Sequence, residues 1–375
     1  MKNNVFQKIF SDFKKPIDFW LLFTVVILLA TGLITMFSAS MPYANREYGD
    51  LAYILKNQLK FALLGLVALF ITANIDYHFY RKFTIPIFGF ALFLLILVLV
   101  PGFHGNDPKI RRWLYIGPIN FQPSEIMKIA LIMFFAHLMS KYDYNVPKFF
   151  KGFLLYFVIF GIVAVLLIKE PHLSCTIIVF AITVVMLFCA GAKIFHFILT
   201  GIPALAGLAY VALFTDYMKE RLLSFKDPFM YKSDIGWQVV QSLYAIGTGG
   251  LFGKGLGKSM QKFLYLPEPH NDFIFAIIAE ELGFVGCVAI LLLFLMFMWR
   301  GIRIALYAPD RYGSLIAVGI TSLIGVQCIL NIAVVTASVP ATGVALPLFS
   351  YGGTALVLFL AEIGILLNIS KYAKE

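Results

Sequence analysis

The sequence is dominated by a succession of apolar stretches, each about as long as a membrane is thick. A helix needs about 20 predominantly apolar residues to cross the hydrocarbon layer of a bilayer, and the chain of 375 residues contains ten such stretches. They cover residues 17–38, 56–75, 83–101, 123–140, 152–168, 172–190, 192–214, 273–299, 312–337 and 343–370. Charged residues make up only 13% of the chain, against about 25% in soluble domains. A water-soluble globular fold is therefore excluded.

We predict an all-α polytopic membrane protein with about ten transmembrane helices, built as a single domain over residues 1–375. Backbone N–H and C=O groups find no partners in lipid, so a spanning segment must close its hydrogen bonds internally. The stretches lack the two-residue alternation of barrel strands. The first stretch is longer than the apolar region of a signal peptide, and Ser38-Ala39-Ser40 is predicted to open a polar loop.

The distribution of Lys and Arg orients these helices. An even number of spans puts both termini on one side, and cytoplasmic loops are enriched in Lys and Arg. The loops on the side of the termini carry roughly twice as many of these residues as the short loops opposite. We therefore predict cytoplasmic tails at 1–16 and 371–375. Extracytoplasmic loops follow at 102–122 and, between helices 7 and 8, at 215–272, where aromatic residues predict short surface helices.

Composition excludes several other classes of protein. All four cysteines lie inside apolar stretches without metal-ligand spacing, which predicts neither a disulfide framework nor a zinc site. The net charge of +10 is spread over loops, where topology and anionic lipids account for it better than a nucleic acid does. We expect no nucleic-acid partner.

The sharpest local signal lies between Leu266 and Phe275, where a loop becomes a helix. Pro267 and Pro269 end any helix before this point, and Asn271 and Asp272 follow them. Either residue is typical of an N-cap. Alternatively, Asp272 is a carboxylate at the outer membrane edge that acts as a general base or a cation ligand.

Other charged residues near or inside the helices require partners. Glu280 and Glu281 are intramembrane acids, which mark functional sites or form structural ion pairs. Glu125 and Lys128 are three residues apart on one helix face and are predicted to form a structural ion pair. Arg111 and Arg112 stand beside Trp113 on the side that disfavours positive charge, so an anionic ligand such as a phosphate is indicated.

Two segments are rich in helix breakers. The run Gly247–Ser259 fits neither a Walker A motif nor a dinucleotide-binding motif. It is consistent with a backbone cradle for phosphate or with a flexible linker. Prolines and glycines between residues 333 and 354 break the last helices, which is typical of membrane binding sites or of a packing kink.

Taken in order, these motifs resemble the SEDS (shape, elongation, division and sporulation) family, the group of RodA, FtsW and SpoVE. The resemblance extends from Asp18 to Ser370. It is carried by Phe37–Ser40, Arg112-Trp113, Phe121–Glu125, Gly236–Gln238, Gln241-Ser242, Gly247–Gly257, Leu266–Glu268, Asp272–Ala276, Glu280-Glu281 and Pro347–Gly353. Leu366–Ser370 and Ile75–Lys82 favour the division and sporulation branch, in particular FtsW, although Phe121–Glu125 also suits the elongation branch.

The resemblance implies a glycosyltransferase that polymerises lipid II at the outer face of the bacterial cytoplasmic membrane. It would work beside a class B penicillin-binding protein, within the division or elongation machinery. The family's essential aspartate corresponds to Asp272, expected to deprotonate the acceptor GlcNAc 4-hydroxyl as it attacks C1 of MurNAc with inversion. Substrate binding, including that of the undecaprenyl diphosphate, is expected from Arg111, Arg112, Trp113, Lys56, Gln122, Glu268, Ser350 and Tyr351.

The resemblance also implies a divalent cation, Mg²⁺ or Mn²⁺, for which Asp272 and Glu170 are the expected ligands. Many relatives have an aspartate at the third position of the run that reads Glu170-Pro171-His172 here, so the ligand set must differ in this chain. Two other functions fit ten spans, a lipid II flippase and a non-catalytic scaffold. A flippase needs a polar route open to both faces, and a scaffold would not need Asp272.

Overall fold

The chain folds into long apolar helices that are connected by short turns and, at 250–273 and 336–352, by longer non-helical segments. The computed structural model describes residues 16–103, 111–116, 119–202, 222, 225–230, 236–263 and 265–373. The helices are α1 Phe19–Tyr48, α2 Tyr53–Asn74, α3 Tyr77–Arg81, α4 Thr84–Val98, α5 Pro123–Lys141, α6 Leu154–Lys169, α7 Leu173–Cys189, α8 Trp237–Gly249, α9 Ile274–Tyr307, α10 Arg311–Val335 and α11 Gly353–Ser370. Short helical turns at Asp143–Asn145 and Phe149–Phe153 precede α6, and residues 194–202 are also helical.

The helices confirm the predicted all-α polytopic fold. Within the described residues, seven helices are long and apolar enough to cross a membrane, namely α1, α2, α5, α6 with the turn before it, α9, α10 and α11. The shorter apolar helices α4 and α7 lie at the third and sixth predicted spans. Of the seventh predicted span, 192–214, only residues 192–202 are described. Almost all of the predicted tail 1–16 and, within the predicted loop 215–272, residues 215–221, 223–224, 231–235 and 264 lie outside the described residues.

Two local expectations need correction, and one predicted loop contains additional structure. Helix α1 continues through Ser38–Ser40 to Tyr48 instead of opening a loop, because Ser38 is buried and donates to Glu281. The last span begins at Gly353 rather than at 343, since residues 343–352 are not helical. The loop 102–122 contains two short antiparallel strands, β1 Leu114–Ile116 and β2 Ile119–Phe121.

The helices pack closely inside and present apolar side chains outside. On α2, Leu63 and Val67 are more than half exposed, as expected for a face in contact with lipid. On the inner side, a Cβ atom at Gly364 would lie 2.0 Å from Thr72 Oγ1, and this hydroxyl donates to the Ala361 carbonyl over 2.9 Å. Small residues and interhelical hydrogen bonds drive helix association in lipid, and here they pair α2 with α11.

Candidate active site

Several predicted motifs converge on one cavity of about 530 Å³, a volume typical of small-molecule sites. Its walls come from the β1–β2 hairpin, α5, the start of α7, the loop before α9 and residues 343–356. We call it the polar cavity. The predicted site residues that line it are Arg112, Trp113, Gln122, Glu125, Lys128, Glu268, Asp272, Ser350 and Tyr351.

Asp272 is positioned by hydrogen bonds to its backbone. The buried side chain of Asn331 donates to the carbonyl oxygens of Asp272 over 2.7 Å and of Val344 over 2.6 Å. The N-cap of helix α9 is Phe273, and no side chain makes a capping hydrogen bond there. The N-cap interpretation of Asn271 or Asp272 therefore does not hold, and the Asp272 carboxylate faces the polar cavity.

The segment 343–352 forms the wall opposite this carboxylate. Gly343 has a φ of +57°, and a Cβ atom at this position would lie 3.0 Å from Asp272 Oδ2. Ser350 Oγ donates to the Asn271 carbonyl over 2.6 Å, and Tyr351 N donates to the His270 carbonyl over 2.8 Å. Ser350 and Tyr351, in the non-helical segment before α11, thus hold the loop that carries Asp272 in place.

A basic and aromatic wall faces Asp272 from the hairpin and α5. Trp113 and Gln122 flank the two strands, and Arg112 donates to the Pro171 carbonyl. On α5, Lys128 Nζ lies 2.8 Å from Glu125 Oε2, and Lys128 is 2% exposed. Because both members of this pair line the polar cavity, the pair contributes to the site as well as to packing.

His172 is a cavity residue that sequence reasoning noted only as a departure from the family. It is buried, and its Nδ1 has no hydrogen-bond partner among the described residues. An uncharged imidazole offers one donor and one acceptor nitrogen, and Arg112 and Lys128 line the same cavity.

Three predicted site residues lie elsewhere. Lys56 is exposed and pairs with Asp50 over 2.7 Å, and this hydrogen bond holds the pKa of Asp50 below its usual range. Arg111 does not line the polar cavity. Glu170 is fully buried, and neither carboxyl oxygen has a hydrogen-bond partner in the described part of the chain.

The expected metal ligands do not form a site made by protein alone. Burial raises the pKa of Glu170 to about 9, against the opposing effect of Arg112. Glu170 does not line the polar cavity that Asp272 borders, so the two expected ligands do not share it. Among the described residues, no group of three or more His, Cys, Asp and Glu side chains could hold a metal ion. The residues present therefore do not fit a preformed Mg²⁺ or Mn²⁺ site, and the cation stays a prediction.

Glu280 and Glu281 lie outside the polar cavity, in a second cluster that we call the buried acid cluster. Glu280 accepts from Lys254 Nζ over 2.6 Å, and Glu281 accepts from Lys262 Nζ over 2.9 Å. Ser38 Oγ, from α1, lies 2.7 Å from Glu281 Oε1. Of the two interpretations of these acids, the contacts support structural ion pairs.

The Gly-rich run is part of the same cluster and is neither a linker nor a phosphate cradle in the described residues. Lys254 N and Gly255 N donate to the carbonyls of Glu280 and Glu281 over 2.9 and 3.0 Å. A Cβ atom on Gly253 would lie 2.2 Å from the Glu281 carbonyl oxygen. The glycines thus let the run pack directly on the backbone of α9.

Sequence reasoning also missed two residues of the site. Asn331 holds the Asp272 backbone, and Gly343 faces the Asp272 carboxylate. A polar amide within the apolar stretch 312–337 was a usable signal for Asn331, because such a group in a membrane requires partners. Gly343 belongs to the prolines and glycines between 333 and 354 that predicted a helix break, but that pattern did not predict its approach to Asp272.

The fold and the polar cavity define a multi-pass α-helical membrane protein with a carboxylate site at one end of its spans. A model of the FtsW/RodA/SpoVE family, described as "Cell cycle protein", matches residues 19–375. The chain belongs to this family, as the sequence motifs predicted.

Relatives and solved structures agree with this assignment. The chain is 44% identical to stage V sporulation protein E of Bacillus subtilis, covering 95% of this chain and 98% of the relative. It is 39% identical to a probable peptidoglycan glycosyltransferase FtsW of Geobacter sp. (strain M18), covering 94% and 96%.

Two solved structures are similar over almost the whole chain. One is described as "Structural coordination of polymerization and crosslinking by a peptidoglycan synthase complex". It matches with a TM-score of 0.78 and 28% identity, covering 96% of this chain and 99% of that chain. The rod shape determining protein RodA of Thermus thermophilus matches with a TM-score of 0.70 and 28% identity, covering 96% and 98%.

Proposed function

We propose that this chain is a peptidoglycan glycosyltransferase that polymerises lipid II at the outer face of the bacterial cytoplasmic membrane, with both termini in the cytoplasm. The observation that carries the proposal is that Asp272 shares one polar cavity with Arg112, Trp113 and Lys128. The name of the FtsW relatives supports the activity. The excess of Lys and Arg on the side of the termini supports the orientation.

The residues of the cavity supply what the reaction requires. Asp272 accepts the proton of the acceptor GlcNAc 4-hydroxyl while its oxygen attacks C1 of MurNAc from the face opposite the leaving group. Undecaprenyl diphosphate leaves with the bonding electron pair. A cation beside its oxygens lowers the barrier because negative charge develops there, and Arg112 has this role.

The proposed partner is a class B penicillin-binding protein within the divisome or elongasome, which would cross-link the nascent glycan strand. The similarity to a peptidoglycan synthase complex supports this assembly. A complex that both polymerises glycan strands and cross-links them needs the polymerase and the transpeptidase on the same membrane face. The proposed orientation is consistent with this requirement.

The test is a polymerisation assay with the purified full-length chain, its class B partner, fluorescent lipid II and Mg²⁺ or Mn²⁺. We expect Asp272→Asn to lower the rate at least about 100-fold, since a general base contributes about 10²–10⁴-fold. Gel analysis of the glycan chains is the readout. Asp50→Asn is the matched control, because it neutralises an exposed carboxylate outside the cavity and should retain wild-type activity.

Other outcomes would change the assignment. An active and well-folded Asp272→Asn variant would remove the base from the mechanism. If the wild type binds lipid II but makes no chains, a reconstituted flipping assay decides between a flippase and a scaffold. A flippase would move lipid II between leaflets without the partner.

A further inference from the structure

One buried amide in the wall of the polar cavity has no role in the reaction described above. Gln327, on α10, lines the cavity and is 3% exposed. Its Oε1 is buried and has no hydrogen-bond partner in the described part of the chain. An unpaired polar group inside a membrane-spanning helix is costly and is by default a candidate functional group.

Asn331 shows what a buried amide does in the same helix when its role is structural. It lies one turn further along α10, on the same face as Gln327, and its Nδ2 donates to the carbonyls of Asp272 and Val344. Asn331 Oδ1 is also unpaired among the described residues, but Asn331 does not line the cavity. Gln327 differs because its side chain borders open volume, where a ligand can reach it.

The position of Gln327 relates it to the reacting atoms. Four helical residues correspond to about 6 Å, so Gln327 lies about one turn deeper in the spans than the amide that holds Asp272. A sugar ring with its reacting atom at Asp272 extends over a similar length. The last torsion of a glutamine side chain is broad, so the Gln327 amide can turn its oxygen or its nitrogen towards such a ring.

We propose that Gln327 recognises the 2-acetamido group of a lipid II sugar whose reacting atom lies at Asp272. This inference rests on the proposed function, because it places lipid II in the polar cavity. The N–H and C=O of an acetamido group match the acceptor and the donor of a glutamine amide. Its methyl group matches the apolar part of the lining, which includes Ile178, Leu356 and Phe359.

Both sugars of lipid II carry this group. In the acceptor GlcNAc it is two ring atoms from the carbon of the attacking 4-hydroxyl, and in MurNAc it is next to C1. The chemistry that Gln327 recognises is therefore the same for either sugar. Gln327 is a specificity-determining residue, and the proton transfer remains with Asp272.

The test is fluorescence titration of the full-length chain with labelled lipid II and two analogues, in which a hydroxyl replaces the acetamido group of GlcNAc or of MurNAc. We expect the wild type to bind lipid II about fivefold to tenfold more tightly than one analogue, which identifies the sugar that Gln327 contacts. Gln327→Met has an unbranched side chain without an amide. It should bind lipid II and that analogue within about twofold of each other.

Ser174→Ala is the matched control. Ser174 also lines the cavity and is buried, but its hydroxyl already donates to the Thr342 carbonyl. Its loss should leave the ratio of the two affinities at the wild-type value. Gln327→Asn keeps the amide but withdraws it by one methylene, so its ratio should be intermediate. Thermal unfolding verifies that each variant is folded before the ratios are compared.

Two results would overturn the proposal. One is a wild type that binds lipid II and both analogues equally, and the other is a Gln327→Met variant that discriminates as strongly as the wild type. The polymerisation assay reports separately on the proposed function. Glycan chains from a wild type without discrimination would overturn only the role of Gln327. Discrimination without chains would support this role and overturn the polymerase.

Discussion

The polar cavity and the buried acid cluster both place carboxylates and lysines at the beginning of α9, yet they differ in what surrounds these groups. In the buried acid cluster, Glu281 and Lys262 are 2% and 1% exposed, and side chains and backbone amides enclose both. In the polar cavity, Asp272 borders about 530 Å³ of space. Acids next to lysines therefore do not by themselves indicate chemistry. The open volume beside them distinguishes the two regions.

The largest effect on stability should come from breaking the buried pair. Glu281→Gln leaves the Lys262 ammonium buried without its anion, which costs about 3–5 kcal/mol when one partner of a buried pair is removed. Thermal unfolding in detergent measures this loss, and the fraction that stays folded should still polymerise lipid II.

The double variant Glu281→Gln/Lys262→Met is the control, because it removes both charges and should recover part of the stability. If Glu281→Gln unfolds at the wild-type temperature, the pair is not structural. A stable variant that lost polymerisation would instead move Glu281 into the site.

The next effect concerns ligand binding by the polar cavity. Arg112→Ala should weaken lipid II binding about tenfold, since a hydrogen bond to a charged group contributes about 1.5–3 kcal/mol. Lys56→Ala should stay within about twofold, because exposed ion pairs contribute little. Fluorescence titration with labelled lipid II compares the two. A larger loss for Lys56→Ala would return this lysine to the diphosphate site.

A smaller effect is expected from the wall that faces Asp272. Gly343→Ala places a methyl group 3.0 Å from Asp272 Oδ2 in a left-handed conformation that costs about 1–2 kcal/mol. Polymerisation should fall about fivefold to tenfold. Gly352→Ala is the matched control, because Gly352 also lines the cavity but has an extended φ, and a methyl group there would make only an ordinary van der Waals contact with Ala355 Cβ at 3.6 Å. Equal rates for both variants would contradict the proposed contact.

A pH dependence of stability is expected from Glu170. Its folded-state pKa of about 9 lies above the ordinary value of 4.5, so the folded state holds a proton that the unfolded chain releases. This contribution to stability is fully present below pH 4.5 and is lost as the pH rises towards 9.

Glu170→Gln mimics the protonated form and removes this dependence. The variant should therefore unfold at a higher temperature than the wild type at pH 8, and the difference should shrink towards pH 5. Thermal unfolding at both values measures it. A Glu170→Gln variant that is less stable at pH 8 would show that the carboxylate is charged and paired.

Sequence reasoning found the spans because hydropathy is a local property of each stretch. It found Asp272 because the prolines before it mark a boundary between a loop and a helix. It could not find the bond between Asn331 and Asp272, which joins residues 59 positions apart. Sequence reasoning also could not place the side chains of Lys56 and Glu170, because a charge in a loop does not reveal whether its side chain faces a neighbour, solvent or the interior.

The hydrogen bonds from Asn331, Ser350 and Tyr351 to residues 270–272 also have a consequence for biogenesis. Chains are synthesised from the N-terminus, so Asp272 is made and inserted before the groups that hold it. The carboxylate reaches its final position only after α10 and the segment before α11 have entered the membrane. A nascent or truncated chain that ends before residue 343 therefore contains Asp272 without the hydrogen bonds that Ser350 and Tyr351 donate to residues 270 and 271.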